Sequence, residues 1–102
     1  MGAIHVTKEN FEQEVLQSEK PVLIDFWAAW CRPCKMLSPV IEELSEEVKD
    51  AKICKIDIDK EPELAEKYDV MSIPTLLVIK EGEVVKQTVG VQPKAEILEI
   101  LQ

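Results

Sequence analysis

Two cysteines three positions apart, in Cys31-Arg32-Pro33-Cys34, follow an apolar run and head the longest helical pattern in the sequence. Unpaired N–H groups and the macrodipole at a helix N-terminus favour an anion by roughly 0.3–2 kcal/mol, enough to lower a thiol pKa by up to about one unit. The thiolate is the form that attacks disulfides. Thiols at this spacing can also close a small disulfide, with Pro33 restricting the loop between them. A zinc half-site is a competing reading, but zinc needs four ligands and only Cys54 and His5 remain to supply them. An inert pair is a third. Cys-x-x-Cys beside alternating strands and helices favours redox chemistry.

Asp25 is the second group that could do chemistry, because it interrupts the run Val22-Leu23-Ile24-Asp25-Phe26-Trp27-Ala28. A carboxylate in a buried strand is costly unless paired, and desolvation raises its pKa. A structural ion pair or cap is the alternative. Other eye-catching residues read as structure: Trp27 packs, Cys54 is a small buried hydrophobe, and His5 is a surface or edge residue. The acidic pairs Glu42-Glu43 and Glu46-Glu47 form a solvated helix face.

The elements that must position these groups are legible from periodicity. Ile4 to Thr7 suggests a first strand, with Thr7 capping a helix whose apolar face is Phe11, Val15 and Leu16. The run around Asp25 is apolar on both alternations, as in a strand covered on both faces. Met36, Leu37, Val40, Ile41, Leu44 and Val48 follow helical spacing, with a kink expected at Pro39. Ala51 to Ile58 reads as a strand and Lys60 to Tyr68 as a short helix with an early Pro62. Thr75 to Lys80 and Glu83 to Val89 form a hairpin across Glu81-Gly82. Pro93 opens a last helix with Ile97, Leu98 and Leu101 on its apolar side. The order β-α-β-α-β-α-β-β-α implies an α/β fold: parallel pairing through crossovers, an antiparallel edge, and a mixed central sheet with helices on both faces.

Size and charge narrow the function. The 102 residues suit one domain, taken as 1–102. A net charge of −8 argues against nucleic acid or an anionic membrane as partner. Three cysteines are too few, and odd in number, for a disulfide-stapled secreted scaffold. The stretch Met1 to Val6 lacks a basic region followed by a long apolar one, so no signal peptide is expected, and no apolar run is long enough to span a bilayer. A cytoplasmic location is the expectation.

Trp30-Cys31-Arg32-Pro33-Cys34-Lys35, preceded by Asp25-Phe26-Trp27-Ala28 and followed by Ile73-Pro74-Thr75 and Val89-Gly90-Val91, resembles the thioredoxin family over essentially the whole chain. The resemblance implies a thioredoxin-like fold and a general protein disulfide reductase and electron carrier. Cys31 is then the attacking thiolate and Cys34 the resolving one, the pair cycling between dithiol and disulfide. Asp25 takes the Cys34 proton, with Lys55 on the neighbouring strand as its charge partner. The resemblance further implies a cis bond before Pro74 and a substrate surface of Trp30, Ile58, Ile73, Pro74, Gly90 and Val91. Arg32 departs from the Gly most members carry, so Arg32 and Pro33 become tuners of the redox potential. No cofactor or metal is implied. The expected partners are a thioredoxin reductase, NADPH-dependent or ferredoxin-dependent, and disulfide-containing targets, for a monomeric chain. A dithiol oxidase or isomerase, and a binding module with incidental cysteines, are the rival functions.

Overall fold

The computed structural model describes residues 2–102; Met1, included in the expected domain and in the N-terminal reading, lies outside the described residues. Five strands, β1 (Ile4–His5), β2 (Val22–Trp27), β3 (Lys52–Asp57), β4 (Thr75–Lys80) and β5 (Glu83–Val89), form one sheet in the order β1-β3-β2-β4-β5. The first three run parallel, and β4 and β5 are each antiparallel to their inner neighbour. Helices α1 (Arg32–Glu47), α2 (Pro62–Lys67) and α3 (Lys94–Ile100) and a short π-helical segment at Glu12–Leu16 complete the predicted order.

The antiparallel part of the sheet extends further inward than the hairpin alone requires, because β4 is antiparallel to central β2 as well. The connection from β3 to β4 carries α2 but does not act as a parallel crossover.

Alternation along the strands divides the core by face. Leu23, Ile53, Leu76 and Val78 meet Leu37, Ile41 and Leu44 of α1 and Ile97 of α3. Val22, Ile24, Phe26, Cys54, Ile56, Leu77 and Ile79 meet Phe11, Val15 and, from α2, Leu64 on the other face. Asp25 and Lys55 fall in phase with Leu23 and Ile53, which places both on the α1 face.

Several local expectations are corrected. Thr7 is not the cap: the segment Glu12–Leu16 has Phe11 at its N-cap position with no side-chain cap hydrogen bond, and the Thr7 N–H donates to Asn10 Oδ1 at 2.7 Å. The first strand stops at His5, with one further ladder bond from Val6 N–H to the Lys55 carbonyl at 2.9 Å. Met36, Leu16 and Leu98 are exposed rather than core, lying at the edge of otherwise buried stripes. Pro39 does lie inside α1, as expected, with its ring exposed.

Candidate active site

β2 ends beneath the cysteines, and Cys31 caps α1. Its backbone is extended (φ −90°, ψ 111°) and its Sγ accepts the Cys34 N–H at 3.2 Å. A sulfur in this position occupies the place of an N-cap oxygen, which is where a helix best supports negative charge. The two Cα atoms are 5.3 Å apart and the sulfurs are joined as a disulfide. Both cysteines are buried and form a small cluster with Ala28, against which Trp27, Ile58 and Ile73 pack. Arg32 and Pro33 are exposed on the first turn of α1.

The residues expected around the pair gather there from four parts of the chain. Cys31 Sγ lies 3.8 Å from the Ile73 carbonyl oxygen. The Ile73–Pro74 peptide is cis. Gly90, at φ +94°, donates its N–H to the Pro74 carbonyl at 2.8 Å, tying the loop after β5 to the same spot. Val91 follows it, exposed. Trp30 is 67% exposed, a large aromatic held in water, and its Nε1 donates to Asp59 Oδ2 at 2.8 Å.

Asp25 is 1% exposed, and neither carboxylate oxygen has a hydrogen-bond partner among the described residues. Burial therefore pushes its pKa up to about 7, although the Lys55 charge pulls it down; Glu42 adds to the rise. Lys55 is its register partner on β3. The ammonium makes its contacts elsewhere: Nζ donates to Ser38 Oγ at 3.2 Å, lies 3.7 Å from Glu42 Oε2, and sits 4.9 Å from the centroid of the Trp27 ring. Lys55 thus acts on Asp25 through its field and not through a bond. A cavity of about 230 Å³ is lined by Trp27, Cys34, Ser38 and Lys55 among others.

Three residues of this arrangement escaped the reading of the sequence. Asp59 orients Trp30, and nothing in its local pattern marks it. Ser38 and Glu42 hold Lys55, and their signal was present: Cys34, Ser38 and Glu42 recur every four residues, on one side of α1. The acidic pairs of α1 are accordingly not simply a solvated face, since Glu42 accepts the Ala3 N–H at 3.0 Å and Glu43 and Glu47 hold Lys94. Cys54 is fully buried and its thiol pKa is pushed up to about 12, mainly by burial, so it is inert at neutral pH.

The chain is similar to known proteins over nearly its whole length. The family model described as thioredoxin matches residues 2–102. A thioredoxin of Bacillus subtilis (strain 168) is 53% identical over 102 residues, covering 99% of this chain and 96% of its own. One from Streptomyces clavuligerus is 53% identical over 94 residues, covering 92% and 88%. One from Mycobacterium tuberculosis (strain ATCC 25618 / H37Rv) is 50% identical over 98 residues, covering 95% and 84%.

Proposed function

The chain belongs to the thioredoxin family and is a protein-disulfide oxidoreductase, a dithiol–disulfide electron carrier; from that premise we propose what each residue of the site does. Cys31 attacks one sulfur of a target disulfide as the thiolate, forming a Cys31–target disulfide and expelling the second target sulfur. Cys34 gives its proton to Asp25 and attacks Cys31 Sγ. The Cys31–Cys34 disulfide forms and the remaining target sulfur leaves as thiolate, so the target gains two electrons and the pair loses two.

The observation that carries this assignment is the position of Cys31 Sγ. It accepts a backbone N–H at the head of α1, which stabilises a thiolate on Cys31 and not on Cys34. The raised Asp25 pKa, close to neutrality, suits a group that must both take and return a proton. Ile73, with Trp30, Ile58, Gly90 and Val91 around it, offers backbone and apolar surface to an extended target segment. Pro74 shapes that turn, Arg32 and Pro33 tune the pair, and Lys55 is the charge neighbour of Asp25.

Members of the family act with a thioredoxin reductase and with disulfide-bearing targets. We assign this chain, residues 1–102, as a single monomeric domain served by an NADPH-dependent or ferredoxin-dependent reductase. Its net charge of −8 disfavours nucleic acid and anionic membranes as partners. No helix among the described residues is long and apolar enough to cross a membrane. A cytoplasmic location fits the chemistry, since a reducing compartment keeps a dithiol reduced. The test is turnover: with an NADPH-linked thioredoxin reductase, catalytic amounts of the chain should couple NADPH oxidation to reduction of a protein disulfide. A binding module with incidental cysteines would give no NADPH oxidation.

A further inference from the structure

Asp25 and Lys55 are register partners on adjacent parallel strands, both directed at α1. Opposite charges so placed ordinarily pair, yet the Asp25 oxygens have no partner among the described residues, and the Lys55 ammonium is turned to Ser38 and Glu42. Glu42 is itself fixed at both ends. Its Oε1 accepts the Ala3 N–H at 3.0 Å while its Oε2 faces Lys55. A methyl group on Gly2 would meet Oε1 at 2.6 Å, so the N-terminal segment passes close to the carboxylate, whose side chain stays 41% exposed.

We propose that Glu42 is a positioning residue for the redox reaction: with Ser38 it anchors the Lys55 ammonium on α1 and so keeps Asp25 unpaired and free to exchange a proton. The proposal rests on the reading of Asp25 as proton acceptor. The charged groups that act on the Asp25 carboxyl are Lys55 from β3 and Glu42 from α1, and Cys34 of α1 is the titratable group the proposed mechanism sets against it. β4 places Leu76 opposite it and contributes no titratable side chain there. On its far side Lys55 shares a second cavity with His5, Asp57, Lys60 and Glu61, whose mixed charges offer no single competing anchor. Removing the Glu42 charge has two consequences of the same sign. It withdraws a negative charge from the Asp25 neighbourhood, and it frees Lys55 to turn toward Asp25. Both favour the ionised carboxylate.

The test is the Asp25 titration in the oxidised chain, followed by the carboxyl carbon in NMR, beside the pH profile of the step in which Cys34 resolves a trapped mixed disulfide. Glu42→Gln keeps an acceptor for Ala3 and removes only the charge. The Asp25 midpoint should fall by about one unit, the lower end of what a contacting opposite charge produces, and the kinetic profile should fall with it. Ser38→Ala, which removes the other anchor, should shift both in the same direction. A midpoint unchanged or raised in both variants overturns the proposal, and so does a Glu42→Gln shift equally large in a Lys55→Met background, where no ammonium is left to release. A midpoint that falls while the kinetics stay put overturns the proton role of Asp25 and leaves the anchoring of Lys55 standing.

Discussion

Replacing Asp25 by Asn should stabilise the oxidised chain, and by an amount that depends on pH in a defined way. The carboxyl is raised from 3.8 to about 7, with burial as the largest cause. The shift is about three units, and at about 1.4 kcal/mol each the ionised group costs the fold about 4 kcal/mol. The sign follows from proton counting. Between pH 3.8 and about 7 the folded chain holds a proton that the unfolded chain has lost, so stability falls as pH rises through this window and levels off above it. The uncharged Asn variant lacks this loss. Urea unfolding of both proteins should therefore show the variant ahead by about 4 kcal/mol at pH 8, by about 2 kcal/mol at pH 5, and level with the wild type near pH 4. A stability difference that does not change with pH would refute the reasoning, since it would mean the buried carboxyl does not titrate in the window its environment dictates.

Other changes have equally definite outcomes. Cys31→Ser should abolish disulfide reduction, whereas Cys34→Ser should accumulate target proteins as mixed disulfides visible by non-reducing electrophoresis, because only the second thiol resolves. Arg32→Gly should raise the Cys31 pKa by about half a unit, the effect of a unit charge about 6 Å away in water-like surroundings; thiolate absorbance titrated at low and high salt checks this, with the difference shrinking in salt. Leu37→Ala, a fully buried side chain between α1 and the sheet, should lower unfolding stability by 2–5 kcal/mol, as measured in urea.

The sequence was most legible where a single period dominates. β4 and β5 match their expected bounds, since Thr75 to Val89 carries strand-forming residues around one turn signal. The head of α1 was legible because Cys31 and Cys34 are chemically distinctive and sit at a change of period. Edges of apolar stripes were not: Leu16, Met36 and Leu98 continue a helical pattern that the actual packing surface does not reach. The direction of β4 was also hidden, because a helix between two strands reads as a parallel crossover and no residue type marks the antiparallel entry. Within the site, residues with unusual chemistry for their surroundings, such as Asp25, announced themselves. Of those that act by holding another side chain, Ser38 and Glu42 on Lys55 left a trace in their four-residue recurrence after Cys34, whereas Asp59 on Trp30 is an ordinary polar residue whose role exists only once the elements are packed.

The reduction potential of the Cys31–Cys34 pair, measured by equilibration with a thiol–disulfide buffer while differential alkylation reports each cysteine, tests the central claim most directly. A reductase of this family should give a value near about −270 mV, raised slightly by Arg32, with Cys31 and Cys34 changing state together and Cys54 unchanged. A value close to about −120 mV, that of a strong dithiol oxidant, or a pair whose two cysteines respond independently, would contradict it.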